Sequence, residues 1–164
     1  CHNSFIYHSE NEEYLDVPKK DNLCMTEEEK FKEKWSFNII HNTDIEDKLV
    51  NLINADKDKT IHVLEVGCGL GETLAKIQFK YPNAQIYGIE FSPQKTAISS
   101  IFLNVVQGDT EKLRIPFGNI RFDYIILLDT LGYFQQPKEI IKKLSGRLKS
   151  KGAFLCSVPN FMTL

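Results

Sequence analysis

The stretch HVLEVGCGLGET, residues 62–73, decides the fold of this chain. Its first half is an apolar, β-rich run that is typical of a buried strand. Three glycines then follow at every second position, Gly67, Gly69 and Gly71. Glycines let the chain turn sharply and let a ligand approach the main chain, while a following helix points its N-terminus at that ligand. The stretch therefore predicts a strand, a ligand-binding loop and a helix.

Downstream of Thr60, strand-like and helix-like segments alternate along the chain. The predicted strands are 61–66 (IHVLEV), 84–90 (AQIYGIE), 103–109 (LNVVQGD), 121–129 (RFDYIILLD) and 152–158 (GAFLCSV). The unbroken apolar run of the fourth strand is typical of a strand that is buried on both faces. Strands that alternate with helices predict βαβ units and a parallel sheet. We therefore expect a three-layer, Rossmann-like α/β fold of mainly parallel strands with helices on both faces.

Prolines and hydrophobic spacing place the helices between these strands. The helix at 70–81 is predicted to end at Tyr81-Pro82, and Ser92-Pro93 opens the next helix with proline at its first position. Segment 137–150 is amphipathic. Its inward-facing residues are predicted to be Ile140, Ile141, Leu144 and Leu148.

The region before the first strand is expected to hold a lead-in and two helices. Capping boxes at Thr26–Glu29 and Thr43–Glu46 predict where the two helices start. The apolar stripe of the second helix is Ile45, Leu49, Leu52 and Ile53. A chain of 164 residues is most simply one domain. We expect a flexible lead-in at 1–25, N-terminal helices at 26–58 and a ligand-binding Rossmann-like region at 59–164.

Composition and charge exclude several classes of function. A formal net charge of −2 gives no basic footprint for binding nucleic acid. The sequence has neither an apolar run long enough to cross a bilayer nor a signal-peptide pattern at its start, so we expect a cytoplasmic protein with no membrane partner. The four cysteines form no C-x-x-C pair and have no histidine at ligand spacing, so neither a metal site nor a disulfide framework is expected.

Four of the predicted strands carry a carboxylate at or next to their last residue. These residues are Glu65, Glu90, Asp109 and Asp129. The carboxyl ends of parallel strands meet at one edge of a sheet, and ligands of this fold class bind at that edge. We therefore expect the four carboxylates to line one rim.

The glycine spacing excludes two classes of ligand. The dinucleotide fingerprint G-x-G-x-x-G places its third glycine three residues after the second, whereas Gly71 comes two residues after Gly69. No Lys-Ser or Lys-Thr follows the loop, which excludes a phosphate-binding Walker loop. Glu65 would repel a phosphate beside the loop and instead suits a cationic ammonium group.

The next strand ends favour a nucleoside. Glu90 follows the loop at about the distance expected of an acid that accepts both ribose hydroxyls. Phe91 could lie against the face of an adenine ring, and Asp109 could accept a hydrogen bond from an exocyclic amine. Together these residues describe a nucleoside that is joined to a positively charged group and carries no phosphate.

Five segments resemble the successive motifs of class I S-adenosylmethionine-dependent methyltransferases, in their usual order. The segments are VLEVGCGLGETL (63–74), YGIEFSP (87–93), VVQGDTEKLRIPF (105–117), FDYIILLDTLGYFQQP (122–137) and LKSKGAFLCSVPN (148–160). The resemblance covers roughly residues 60–160. It implies S-adenosylmethionine as the cofactor and transfer of its methyl group to a small molecule or a glycan.

The resemblance also implies a role for individual residues at the methionine end of the cofactor. Glu65, Gly67 and Gly69 would hold the methionine moiety. The segment Leu128–Asp129 would approach the methionine and the sulfonium. For Asp129 a second interpretation stays open, because aspartate at a strand end commonly caps the turn that follows.

The remaining implied residues lie at the adenosine end. Glu90 would accept the ribose hydroxyls, and Phe91 would pack on adenine. Asp109 would hold the adenine amine, with the backbone of Thr110 beside it.

Two departures from the family pattern limit what the resemblance implies. The segment DTLGYFQQP resembles the D-x-L-E-H-L-x-x-P stretch of a subgroup that includes quinone O-methyltransferases and methyltransferases encoded with sugar-polymer enzymes. Gly132 and Tyr133 stand where Glu and His are usual, and a tyrosine of ordinary pKa about 10 is a poor base. We therefore assign no catalytic residue, and a non-catalytic, methyltransferase-like binding or regulatory domain is the alternative function.

The second departure is the end of the sheet. The full fold has seven strands, whereas the motifs of this sequence stop after the fifth. We expect that the last two strands are absent from this piece or that the edge of the sheet is finished in another way.

Overall fold

The computed structural model describes residues 43–109 and 112–158. In that part of the chain, five strands form one sheet in which every neighbouring pair is parallel. The strands are β1 (His62–Val66), β2 (Gln85–Glu90), β3 (Val105–Gln107), β4 (Phe122–Leu128) and β5 (Leu148–Ser157). Their order is β3-β2-β1-β4-β5, so the chain order reverses between β1 and β4. The predicted Rossmann-like α/β fold is confirmed.

Helices cover both faces of this sheet. The helices are α1 (Thr43–Leu52), α2 (Glu72–Lys80), α3 (Pro93–Ser99) and α4 (Pro137–Ser145), with a 3-10 turn at Leu131–Tyr133. Helix α2 contributes Leu74 and Ile77 to one apolar cluster, and α4 contributes Ile140 and Leu144 to the other. The two helices therefore lie on opposite faces, which gives the three layers.

Strand β1 lies at the centre of the sheet and separates the two clusters. Side chains alternate along a strand, so Val63 shares one face with Glu65 while Leu64 and Val66 point to the other. All four residues are buried, and the three apolar ones divide between the clusters in that alternating manner. A parallel strand covered on both faces favours such a nearly continuous apolar run.

Local sequence explains where the helices start and stop. Proline occupies the first position of α3 and of α4, where its fixed φ suits a helix and its missing N–H costs no hydrogen bond. The Ser92 side chain caps α3 by accepting a hydrogen bond from the Lys95 N–H at 3.4 Å. Helix α2 ends at Lys80 because Tyr81 is followed by Pro82, which cannot continue it.

One predicted helix was too long. Helix α4 ends at Ser145, and residues 148–150 belong to β5 rather than to a helix that runs to 150. Gly146 closes the helix, and Leu148 then pairs with Phe122 of β4. The prediction of an inward-facing Ile141 was also wrong, since this side chain is 38% exposed.

Several predictions fall outside the described residues. These are the lead-in at 1–25, the helix that starts at the capping box Thr26–Glu29, and Thr110. The second predicted N-terminal helix corresponds to α1. Of its predicted apolar stripe, Leu49 and Ile53 are buried, whereas Leu52 is exposed. Within residues 43–109 and 112–158, no helix has the length and apolar character needed to span a membrane.

The half-buried Asp123 carboxylate connects β1 to β5. The Asp123 Oδ2 atom accepts hydrogen bonds from the His62 backbone N–H and from the Lys149 ammonium, each at 2.7 Å. Burial raises the pKa of the Asp123 carboxyl, but the Lys149 ammonium and the His62 N–H outweigh it and hold this pKa below its ordinary value. The carboxylate therefore stabilises the fold only in its charged form.

We expect Asp123→Asn to lower the free energy of unfolding by about 1 kcal/mol at neutral pH, a value limited by the solvent exposure of Lys149. Because the folded-state pKa is depressed, this stability is present above the unfolded-state pKa and is lost as the pH falls below about 4. Urea denaturation of both proteins between pH 3 and pH 7 measures the difference. The exposed Asp58→Asn variant is the control, and an Asp123→Asn deficit that does not shrink in acid contradicts the assignment.

Candidate functional site

The glycine loop follows β1 and is held by the end of β2. The backbone N–H groups of Gly67 and Cys68 both donate to the Ile89 carbonyl oxygen, at 2.7 and 3.2 Å. The Gly71 N–H then donates to the Cys68 carbonyl at 2.8 Å, which closes the turn before α2 begins. The loop is therefore fixed in place by backbone contacts rather than by its side chains.

Two of the glycines serve different purposes. At Gly71, which has φ +92°, an added Cβ would lie 2.1 Å from the Leu103 Cδ1 atom, so packing against Leu103 requires glycine. At Gly69, which has φ +59°, the nearest described atom to an added Cβ is the Glu72 Oε2 atom at 3.9 Å. Among the described residues, a Cβ at Gly69 would therefore make only an ordinary van der Waals contact, so a ligand can approach the main chain there.

The Glu90 carboxylate joins the end of β2 to this loop. Its Oε2 atom accepts a hydrogen bond from the Gly69 N–H at 2.7 Å, and its Oε1 atom accepts one from the Ser92 N–H at 2.8 Å. The side chain is only 6% exposed. A carboxylate has about four lone-pair positions, so further hydroxyl donors could still bind. The structure thus places Glu90 directly beside the glycines, as the sequence predicts.

Glu65 is a buried residue of β1, two positions before the first glycine of the loop, and its charge acts on Cys68. This side chain is 2% exposed and shares the face of β1 that carries Val63. Burial, followed by the charges of Glu65 and Glu90, raises the pKa of the Cys68 thiol far above its ordinary value. Both carboxylates therefore act on the same small volume around the glycine loop.

This environment predicts that Cys68 is unreactive in the folded protein. The thiolate is the reactive form, so a buried and protonated Cys68 should react with iodoacetamide about a hundredfold more slowly than the exposed Cys156. Peptide mass spectrometry of protein labelled at pH 8 measures both rates, and urea-unfolded protein is the control. Equal rates in the folded protein would contradict the placement of Cys68.

Phe91 and the end of β3 form the next part of the rim. The Phe91 ring is half-buried and meets the Phe134 ring edge-on, with the ring centroids 5.7 Å apart. An added Cβ at Gly108 would lie 3.4 Å from the Phe91 ring, so β3 approaches this ring closely. Asp109 follows at the surface. The structure therefore brings Phe91 and Asp109 to one end of the rim, and Thr110 is outside the described residues.

Asp129, at the end of β4, has an unusual backbone conformation. It is the one residue other than glycine with positive φ in the described part of the chain, at +49°. Its N–H lies 3.0 Å from the Ser157 Oγ atom, and the Ser157 hydroxyl donates to the Asp129 Oδ1 atom at 2.7 Å. Leu128, just before it, is half-buried and packs against the core cluster on the α2 side of the sheet.

Sequence reasoning missed the part played by Thr130. This residue is 2% exposed, and its hydroxyl lies 3.0 Å from the Val66 carbonyl oxygen and 2.7 Å from that of Leu128. An added Cβ at Gly67 would lie 2.7 Å from the Thr130 side chain. A threonine that follows a strand-end aspartate does not by itself indicate a role. Its hydrogen-bond partner, Val66, is 64 residues away in sequence, so no local pattern predicts the contact.

The segment after Thr130 exposes an aromatic ring. Tyr133 is 73% exposed, and an added Cβ at Gly132 would meet no described atom within 4 Å. Tyr133 therefore packs into neither core cluster.

The residues present fit a cationic, phosphate-free nucleoside ligand. In the described part of the chain, the charged side chains at the strand ends of this rim are all carboxylates: Glu65, Glu90, Asp109 and Asp129. The Gly69 N–H is bonded to the Glu90 carboxylate, and among the described residues a Cβ at Gly69 would contact only Glu72, an arrangement that suits a ribose beside a backbone cradle. Within residues 43–109 and 112–158, no group of three His, Cys, Asp or Glu side chains is placed to bind a metal ion.

Comparison with known proteins identifies the family. A family model described as "Methyltransferase domain" matches residues 20–162. The chain belongs to this methyltransferase family. The resemblance that the sequence motifs indicated is thereby confirmed at the level of the family.

Individual relatives agree with this assignment. The chain is 29% identical over 116 residues to a malonyl-[acyl-carrier protein] O-methyltransferase of Priestia megaterium, an alignment that covers 67% of this chain and 41% of the relative. The chain thus spans about two fifths of the length of the malonyl-[acyl-carrier protein] methyltransferases that it matches.

Two solved structures share the fold at low identity. The sugar N-methyltransferase KedS8 from a Streptoalloteichus species has a TM-score of 0.61 and 17% identity, covering 89% of this chain and 60% of that one. The plantazolicin methyltransferase BpumL, solved with an analogue of its substrate and SAH, has a TM-score of 0.60 and 21% identity, covering 71% and 46%.

Proposed function

We propose that this chain binds S-adenosylmethionine and transfers its methyl group to a small molecule or a glycan. The observation that carries the proposal is the Glu90 carboxylate, which is hydrogen-bonded at 2.7 Å to the Gly69 N–H of the open glycine loop. The loop and the acid together offer a backbone cradle and a ribose acceptor at one edge of the sheet. Family membership supports the same reaction.

Each part of the rim would hold one part of the cofactor. Glu65, Gly67 and Gly69 would face the methionine moiety, and Glu90 would accept the ribose hydroxyls. Phe91 would pack on the adenine ring while Asp109 and the Thr110 backbone bind its edge. The segment Leu128–Asp129 would approach the methionine side from β4, with the Asp129 carboxylate bonded to the Ser157 hydroxyl. When bound, S-adenosylmethionine supplies an electrophilic methyl group on a positively charged sulfur.

The described residues would contribute to the reaction mainly by position. The buried carboxylates would favour binding of the cationic cofactor over its neutral-sulfur product, because an opposite charge is worth more in a site removed from water. This charge would select the cofactor and would not speed the transfer, since the sulfonium charge is lost in the transition state. A rigid rim would hold the methyl donor and the acceptor at attack distance. The entropy that two molecules lose when they meet in solution is then lost on binding, before the chemical step. Gly132 and Tyr133 provide no histidine base, so an amine acceptor or an already ionised oxygen suits this site best.

The proposed acceptor class is supported by relatives and by one exposed ring. The similar proteins are named for methylation of malonyl-[acyl-carrier protein] at oxygen, of a sugar at nitrogen and of plantazolicin. Tyr133 offers an amphipathic aromatic surface on the segment that follows β4, which can pack on the face of a ring-shaped acceptor.

The proposal also covers which part of the chain binds the cofactor and in which compartment the protein works. We propose that 59–164 is the cofactor-binding part of the chain. Cys68 and Cys156, the described cysteines, are free thiols, which favours a reducing, cytoplasmic compartment.

A non-catalytic binding or regulatory domain is the second candidate. The observation that favours it is the Gly132-Tyr133 pair in place of the Glu and His of the resembling subgroup. Both candidates predict binding of S-adenosylhomocysteine. Only the enzyme should consume S-adenosylmethionine when sugar amines, hydroxylated rings or carrier-bound acids are offered, and mass spectrometry of the product separates the two.

The cofactor proposal is tested by a pair of glycine variants. Gly69 and Gly118 both have positive φ, +59° and +52°, and both have room for a methyl group. We expect Gly69→Ala and Gly118→Ala to cost a similar stability, about 1 kcal/mol, since both strain the backbone alike. Only Gly69→Ala should weaken S-adenosylhomocysteine binding, by about tenfold or more, because its methyl group fills the cradle.

Isothermal titration calorimetry of the wild type and both variants measures these affinities. Gly118 lies just before β4, at the amino ends of the strands and away from the glycine loop. Its variant therefore controls for backbone strain alone. Equal losses in the two variants would contradict the cradle. A wild-type chain that binds NAD but not S-adenosylhomocysteine would overturn the proposed function.

A further inference from the structure

Three residues connect the two sides of the point where the strand order reverses. They are Asp129, Thr130 and Ser157, and we refer to them as the switch-point clasp. Asp129 and Thr130 follow β4, and Ser157 is the last residue of β5. Since β4 lies between β1 and β5, these residues can tie three neighbouring strand ends together.

The first half of the clasp is a closed pair of hydrogen bonds between β4 and β5. The Ser157 hydroxyl donates to the Asp129 Oδ1 atom at 2.7 Å, and the Asp129 N–H donates back to the Ser157 Oγ atom at 3.0 Å. The same N–H also lies 3.2 Å from the Ser157 carbonyl oxygen. This pairing holds Asp129 in its left-handed conformation, which aspartate and asparagine tolerate better than most residues.

The second half of the clasp crosses from β4 to β1. The left-handed turn at Asp129 directs the buried Thr130 side chain toward the end of β1, where its hydroxyl reaches the Val66 carbonyl at 3.0 Å. The same side chain packs against Gly67, the first residue of the glycine loop. The position of the loop therefore depends on how the chain turns at Asp129.

We infer that Asp129 is a positioning residue, which acts on the cofactor loop through Ser157 and Thr130 by its geometry and not by its charge. The inference rests on the proposed function, because it concerns the same loop. It separates the two interpretations of Asp129 that the sequence left open, namely an anion that faces the sulfonium and a residue that shapes a turn. The Oδ1 atom is already engaged by a hydroxyl donor, which is the arrangement that a shaping role requires.

Asparagine and alanine at position 129 distinguish geometry from charge. Asparagine keeps an Oδ1 acceptor for Ser157 and tolerates positive φ, but it is neutral. We expect Asp129→Asn to bind S-adenosylhomocysteine within about threefold of the wild type, and Asp129→Ala to bind about tenfold more weakly. The ratio of the dissociation constants for S-adenosylmethionine and S-adenosylhomocysteine should be unchanged in Asp129→Asn.

A charge that faced the sulfonium would give a different pattern. Asp129→Asn would then lose affinity as strongly as Asp129→Ala, and the loss would be larger for the cationic S-adenosylmethionine by about tenfold. That result would overturn the inference while leaving the proposed function intact. Isothermal titration calorimetry with the two cofactor forms provides all of these numbers.

The two partners of Asp129 give matched variants. Ser157→Thr and Thr130→Ser keep the hydroxyl groups, whereas Ser157→Ala and Thr130→Val remove them with little change in volume. We expect the hydroxyl-keeping variants to bind S-adenosylhomocysteine like the wild type and the other two to bind about three- to tenfold more weakly. The clasp would be contradicted if, at each position, the variant that keeps the hydroxyl and the variant that removes it bound S-adenosylhomocysteine equally well.

Amide hydrogen exchange tests the clasp without any cofactor. In the unliganded protein, exchange at residues 67–69 and 129–131 should be faster in Asp129→Ala, Ser157→Ala and Thr130→Val, and unchanged in Asp129→Asn. Exchange in α4 serves as the internal control for general loosening. If the wild type binds neither cofactor form, the proposed function fails, yet this exchange pattern still reports whether the clasp holds the loop. Unchanged exchange at 67–69 in all three loosened variants would overturn the inference.

Discussion

The hydrogen bond from the Gly69 N–H to the Glu90 carboxylate is the contact on which the site depends. It joins the loop after β1 to the end of β2, and the same carboxylate accepts the Ser92 N–H at the start of α3. Because one buried acid satisfies two backbone donors, the first two βα units share a single anchor at the ligand edge. Loss of that acid would leave two partly buried backbone donors without this partner, which destabilises the junction between the loop and α3.

The sheet explains why this edge can hold a charged ligand. Strands β1 and β4 are neighbours at the point where the chain order reverses, and the helices that follow β1 and β4 cover opposite faces. In folds of this class, ligands bind in a crevice at the carboxyl ends of the strands where the helices diverge. The buried carboxylates Glu65 and Glu90 give this edge a negative charge, which suits the sulfonium and ammonium of a methyl donor and opposes phosphate.

Much of the fold and part of the site could be predicted from the sequence, because glycine and proline mark the loop after β1 and the starts of α3 and α4. The pattern failed where local signals were equivocal. Leu148 fits the apolar stripe of a longer helix as well as it fits a strand, and only its pairing with Phe122 decides the outcome. The contact between Thr130 and Val66, and the left-handed turn at Asp129, arise from strand neighbours that are distant in sequence. No local pattern encodes such contacts.

The most direct test of the central claim is a titration of the isotopically labelled chain with S-adenosylhomocysteine, followed by amide NMR. If the cofactor binds at the glycine loop, the resonances of Gly67, Gly69 and Phe91 will shift in proportion to occupancy, while those of Gly118 and of the outer face of α4 will not. Shifts that cluster away from the glycine loop, or no saturable shifts at all, would contradict the claim that this loop and Glu90 form the cofactor site.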